Sequence, residues 1–104
     1  MFGFKDRAKV EQITGDKYRE LMKDKTLGIQ CIDVRMPAEI SSNRIGGFKN
    51  IPLQELKGRM DELNPEQPVI LLCATGSRSF RAGRILAKAG FKSLYNLQRG
   101  INSL

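Results

Sequence analysis

The stretch Cys73-Ala74-Thr75-Gly76-Ser77-Arg78-Ser79 holds the residue types and spacing that can do chemistry. It follows the apolar run Val69-Ile70-Leu71-Leu72 directly and opens a helical pattern. A thiolate is the reactive form of cysteine, and a free thiol with a pKa near about 8.5 is mostly protonated at neutral pH. The chain contains no histidine, so no imidazole activates Cys73. Backbone amides, a helix dipole and arginine charge are the remaining means. Small residues at 74–77 let amides turn inward, and Gly76 permits a positive φ. The unpaired N–H groups of a helix starting near Ser77 then point back at the sulfur. Such a nest of donors holds a thiolate, an anion or a persulfide. Arg78 adds a fixed positive charge and a planar donor fork. Two plainer readings stand beside this one. Cys73 can be a small core residue, and the loop can be a β–α turn with Thr75 or Ser77 capping the helix.

The elements that must position this loop alternate. Gln12-Ile13-Thr14 reads as a short edge strand. Thr14 serves as N-cap, with Asp16 in the first turn of an amphipathic helix over 15–25 that carries Tyr18, Leu21 and Met22 on one face. Ile29–Val34 reads as a strand, and Pro37 opens a short helix over Ala38–Ile40. Residues 41–47 read as a loop and 49–51 as a brief strand. Leu53, Leu56, Met60 and Leu63 mark one face of a second helix. Val69–Leu72 is apolar without alternation, which fits a strand covered on both faces. The next helix places Ala82, Ile85, Leu86 and Ala89 inside and Arg81, Arg84 and Lys88 outside. Gly90 ends it at C′, and Leu94–Leu97 is the last strand. This order predicts an α/β domain with a mainly parallel sheet. Working sites of such sheets lie beyond the carboxyl ends of the strands, where Asp33 and Cys73 both stand.

Composition sets the bounds. A chain of 104 residues is one domain that buries about two thirds of its unfolded surface. Residues 1–11 read as a loose lead-in and 12–104 as the domain. No apolar run approaches the ~20 residues that span a membrane. The opening residues lack a signal-peptide pattern, so the expectation is a cytoplasmic protein. Cys31 and Cys73, 42 positions apart, form neither a disulfide framework nor a zinc spacing, and no metal site is expected. A net charge of +7 suits an anionic substrate or a generally basic, solvated surface. Nucleic acid is disfavoured, because the aromatics do not interleave with basic residues as a stacking platform requires.

The ordered set of motifs resembles the single-domain rhodaneses, the thiosulfate sulfurtransferase family. The matching segments are Ile32-Asp33-Val34-Arg35 with Pro37 and Glu39, then Asn50-Ile51-Pro52-Leu53, then the Cys73–Ser79 loop. Ala89-Gly90-Phe91-Lys92, Leu94-Tyr95-Asn96-Leu97 and Gly100-Ile101 complete it. The resemblance implies a three-layer α/β sandwich around a central, mainly parallel five-stranded sheet. It implies that Cys73 takes sulfane sulfur from a donor such as thiosulfate as a persulfide, and that cyanide, a thiol or a protein thiol then removes it. The backbone of Ala74, Thr75, Gly76, Ser77, Arg78 and Ser79 would hold the persulfide, and Arg78 would orient the anionic donor. No external cofactor is implied, and the chain is expected to act as a monomer. Four residues separate Cys73 from Arg78. Related dual-specificity phosphatases and arsenate reductases carry five in a wider cradle, so the count favours sulfur transfer over phosphate or arsenate chemistry.

The chain also departs from that family. Where the family has Gly-His-Ile-Pro-Gly-Ala, it has Asn43-Arg44-Ile45-Gly46-Gly47-Phe48, with Arg44 a candidate for electrostatic compensation. The aromatic that usually follows Gly-Ile is absent. These changes bear on rate and acceptor preference, and they favour the alternative of a weakly active or non-catalytic interaction or sulfur-sensing module. Asp33 is expected to accept hydrogen bonds that position loops beside the site. Arg35 is expected to pair with Glu39. Cys31, mid-strand, reads as a buried residue rather than a resolving thiol.

Overall fold

Strand β4 (Val69–Leu72) lies inside a five-stranded sheet whose order is β1-β5-β4-β2-β3. Its neighbours are β2 (Gln30–Asp33) and β5 (Leu94–Leu97); β1 (Val10–Ile13) and β3 (Lys49–Asn50) are the edges. Every neighbouring pair is parallel, so the sheet is wholly parallel over these strands. The computed structural model describes residues 8–104. The part of the expected lead-in over 1–7 lies outside the described residues. Val10 and Glu11, also assigned to the lead-in, belong to β1 and pair with Leu94 and Tyr95.

Both faces of β4 are covered, which explains its unbroken apolar run. Val69 and Leu71 pack with Ile32, Val34, Leu56, Ala82 and Leu86 under α3 (Ser77–Lys88) and a 3-10 segment (Leu53–Glu62). Ile70 and Leu72 face the other way with Ile13, Cys31, Phe48 and Leu97, against α1 (Gly15–Met22). Cys73 belongs to the first core and Cys31 to the second, on opposite faces of the sheet. Cys31 packs 3.7 Å from Met22 Sδ, and burial pushes its thiol up to about 11. It is a structural residue that does not meet Cys73.

Several local expectations hold, and some shift. Thr14 Oγ1 accepts from Lys17 N at 3.1 Å and caps α1. That helix stops at Met22 rather than residue 25, and Lys25–Leu27 forms a separate 3-10 turn whose Asp24 cap accepts from Thr26. The 53–62 segment winds as a 3-10 helix. The 3-4-3 spacing of Leu53, Leu56, Met60 and Leu63 suits an α-helix better than a 3-10 winding, but Gly58 weakens the α option. Ala89 is exposed, because α3 ends at Lys88 and Gly90 turns the chain at φ 96°. A final 3-10 turn, Gly100–Ser103, returns under the β4 end.

From β2 the chain passes through α2 (Pro37–Ser42) to β3; from β4 it passes through α3 to β5 on the other side. The carboxyl ends of β2 and β4 therefore flank the point where the winding reverses, where ligands bind in open parallel sheets. Asp33 lies opposite Leu72 in register. A buried pair locks this end of β2: Arg35 Nη2 reaches Asp33 Oδ2 at 2.8 Å, and both side chains are 2% exposed. Replacing Arg35 by Leu leaves Asp33 buried without its partner. The expected loss is about 3–5 kcal/mol, read as a lower urea midpoint with an unchanged slope.

Candidate active site

Cys73 follows β4 at the floor of the loop that enters α3. Gly76 N donates to its Sγ at 3.1 Å and Ser79 N at 3.3 Å, and Ser79 Oγ lies 3.2 Å away. Burial alone would raise the thiol pKa. Hydrogen bonds from the Ser79 hydroxyl and from the Ser79, Gly76 and Thr75 amides outweigh it and bring the pKa below its ordinary value. These donors favour the ionised form of the sulfur without an imidazole.

The local backbone explains the convergence. Gly76 sits at φ 104°, and a Cβ there would come within 2.3 Å of the Gln98 carbonyl oxygen. Only glycine turns its amide inward while letting the 97–98 backbone approach. Gly100, at φ 60°, stands equally close to the Cys73 and Ala74 carbonyls, and Ile101 N donates to Cys73 O at 3.0 Å. These contacts pin both ends of the loop. Cys73 is fully buried, Thr75 and Ser77 are exposed, and Arg78 is half-buried. The sulfur lies beneath a rim built by residues 75–78.

A buried polar relay stands behind the sulfur. Asn96 Nδ2 donates to Gln12 Oε1 at 2.8 Å and to Gly76 O at 3.0 Å. These acceptors turn Asn96 Oδ1 toward Ser79, whose hydroxyl donates to it. Ser79 and Asn96 are almost wholly buried. The single hydroxyl hydrogen stands within reach of three acceptors, Asn96 Oδ1, Gly76 O and Cys73 Sγ. The sequence reading assigned position 79 a backbone role and did not find Asn96 or Gln12. The available signal was an asparagine inside the apolar strand Leu94–Leu97, since a buried amide must find partners.

The charged residues are arranged differently from expectation. Arg35 pairs with Asp33, not with Glu39: its Nε lies 3.1 Å from each Asp33 oxygen. The short reach back to position 33 satisfies the fork inside the core, and Nη2 also donates to Asn43 O at 2.8 Å. Asp33 is therefore linked through Arg35 to the Asn43 carbonyl at the start of the 43–48 loop. Arg44 is exposed. Glu39 takes Arg78 instead, Oε1 to Nη1 at 2.7 Å and Oε2 to Nη2 at 2.8 Å. Arg78 reaches across from α3 to α2 and holds Glu39 down to about 2. Ala74 completes the loop as a small residue whose carbonyl abuts Gly100. Among the described residues no cluster of three or more His, Cys, Asp or Glu side chains gathers as a metal site requires.

The fold is thus a parallel α/β sheet that carries a cysteine in an amide-lined cradle at its switch point. Comparison with known proteins places the chain more closely. The family model for the rhodanese-like domain matches residues 14–104. The chain is 45% identical to the uncharacterized protein YqhL of Bacillus subtilis (strain 168) over 71 residues, 68% of this chain and 56% of that relative. It thus spans little more than half of that relative's length. It is 29% identical over 92 residues to a sulfurtransferase of Allochromatium vinosum, covering 88% of this chain and 85% of that one. A crystal structure of a rhodanese-like domain protein from Staphylococcus aureus superposes with a TM-score of 0.79 at 25% identity, over 90% of each chain. The chain belongs to the rhodanese-like domain family.

Two outcomes test the site. In Ser79→Ala, the midpoint of the pH-dependent alkylation of Cys73 by iodoacetamide moves up. In Thr75→Ala, which keeps its backbone amide, it stays. The second concerns Glu39, whose folded-state pKa of about 2 lies below its ordinary 4.5. The ion pair's contribution is fully present above about pH 4.5 and is lost as pH falls toward about 2. Glu39→Gln is expected to lower the melting temperature at neutral pH and to flatten its decline on acidification, read by circular dichroism.

Proposed function

We propose that this protein is a sulfurtransferase that carries sulfane sulfur on Cys73 from a small anionic donor such as thiosulfate to a thiophilic acceptor. The observation that carries the reading is the convergence of two backbone amides and a serine hydroxyl on Cys73 Sγ. The chain's membership of the rhodanese-like family and a relative named as a sulfurtransferase support it.

The Cys73 thiolate attacks the outer sulfur of thiosulfate. A bond forms between Sγ and that sulfur as the bond to the sulfonate sulfur breaks, and sulfite leaves with the electron pair. The amides of residues 74–79 receive the persulfide anion, whose charge replaces that of the thiolate. An acceptor then attacks the terminal sulfur. Cyanide leaves as thiocyanate and a thiolate leaves as a persulfide, and in both cases the Cys73 thiolate returns. No outside oxidant or reductant enters the balance. Full burial of Cys73 favours slender donors whose terminal sulfur enters the cradle end-on. Arg78, held by Glu39, stands at the rim where the sulfonate would remain. The ion pair neutralises much of its charge, so it orients the donor more than it attracts it.

Purified protein incubated with thiosulfate should gain the mass of one sulfur atom on Cys73, and with cyanide it should release thiocyanate. Cys73→Ala should lose both. Arg78→Ala should form the same adduct with an apparent KM for thiosulfate raised about tenfold, equivalent to about 1.4 kcal/mol of donor binding. Undiminished thiocyanate release by Cys73→Ala would rule the proposal out. An adduct formed without turnover would instead favour a sulfur-sensing module.

A further inference from the structure

The sulfur chemistry leaves the outer face of α3 unused. Together with the chain just before β1 and the 3-10 segment, that face forms a groove of about 690 Å³. Lys9, Lys57, Arg81, Arg84 and Lys88 line it, and all five are exposed. They come from three parts of the chain and stand on both banks. No carboxylate lines the groove among the described residues. None of the five joins an ion pair among those residues, whereas Lys17, Arg19, Lys49 and Arg59 all do. The floor is apolar and half-buried: Val10, Phe80 and Ile85. The fold does not require this arrangement, because α3 already buries Ala82, Leu86 and Ala87 against the sheet. Like charges around one concavity repel each other and focus a positive potential within it.

We infer that this groove docks an acidic, amphipathic segment of the protein that exchanges sulfur with Cys73. The exchange rests on the sulfur-transfer reading; the docking does not. Carboxylates match both banks, and aliphatic side chains match the floor. A nucleic acid would satisfy the cations but leave the apolar floor unmatched, and Phe80 alone gives little stacking surface. The groove also ends in the right place. Phe80 N donates to Gly76 O at 3.1 Å, so its upper end lies one helical turn from the amides that hold Cys73 Sγ. A segment lying along α3 brings its own thiol to the rim.

The test uses the full chain and a fluorescein-labelled peptide rich in Asp and Glu, with Leu at every fourth position and a terminal Cys. Fluorescence anisotropy should detect binding that weakens as salt is raised through the physiological range. R81E/R84E/K88E should bind about tenfold more weakly or worse, a loss of at least about 1.4 kcal/mol. The neutralising pair Lys57→Gln and Arg84→Gln should weaken binding in the same direction, which covers a triple variant that fails to fold. In the sulfur-transfer assay the acidic peptide should be a better acceptor than its Asn/Gln counterpart, and the triple variant should erase that preference while its cyanide rate holds. Equal affinity of wild type and both variants overturns the proposal, as does a single-stranded oligothymidylate that outcompetes the peptide. Loss of the cyanide reaction in the wild-type protein would instead overturn the sulfur-transfer reading and leave the docking result standing.

Discussion

Hydrogen-bond donors converge on one fully buried sulfur atom and favour a negative charge on it, and on this interaction the rest of the site depends. Burial works against that charge; directed hydrogen bonds work for it and prevail. The donors act because they are fixed before the charge appears. Gly76 at positive φ turns one amide inward, the first turn of α3 supplies another, and Gly100 with Ile101 clamps the carbonyl side of Cys73. In a flexible loop the same groups would solvate the thiolate less well, since each would first have to be oriented.

The strand arrangement delivers this sulfur to its place. β4 is covered on both faces, so Cys73, which follows its last residue, is fully buried rather than set on an open surface. The buried Asp33–Arg35 pair stiffens the neighbouring end of β2 and ties down the 43–48 loop through the Asn43 carbonyl. Asn50 Nδ2 closes the same corner by donating to the carbonyls of Asp33 and Arg35 at 2.9 and 2.8 Å. The 43–48 loop lacks the histidine and proline of its family counterpart, and these bonds supply anchoring from beneath it.

Charge is distributed with a similar division. Near the sulfur, arginines are matched by carboxylates: Arg35 by Asp33 and Arg78 by Glu39. Along the outer face of α3 they are unmatched among the described residues. The local field at the cradle therefore comes mainly from peptide dipoles, and the long-range positive potential comes largely from the groove beside it. Short-range dipoles fix a small anion, whereas unscreened cations act over about 8 Å at physiological salt.

Much of the fold was legible in the chain. The unalternating Val69–Leu72 run, the Thr14 cap, Pro37 and Gly90 each act through neighbours close in sequence, and each stands where its local chemistry puts it. Cys73 and its loop were legible for the same reason, since a strand, small residues and a helix start are all local. The partners of the charged groups were not. Arg35 chose Asp33, and Glu39 was taken by Arg78 from 39 positions away. Asn96 met Ser79 across the joined ends of β5 and α3, and Gln12 met Asn96 from the sheet edge. The sequence by itself determined the alternation of elements and the place of Cys73 between a strand end and a helix start, because periodicity and backbone preference are short-range. Only the tertiary structure decided which groups surround the sulfur and its polar neighbours, because hydrogen-bond partners are selected by proximity in space after the parallel sheet has brought distant strand ends together.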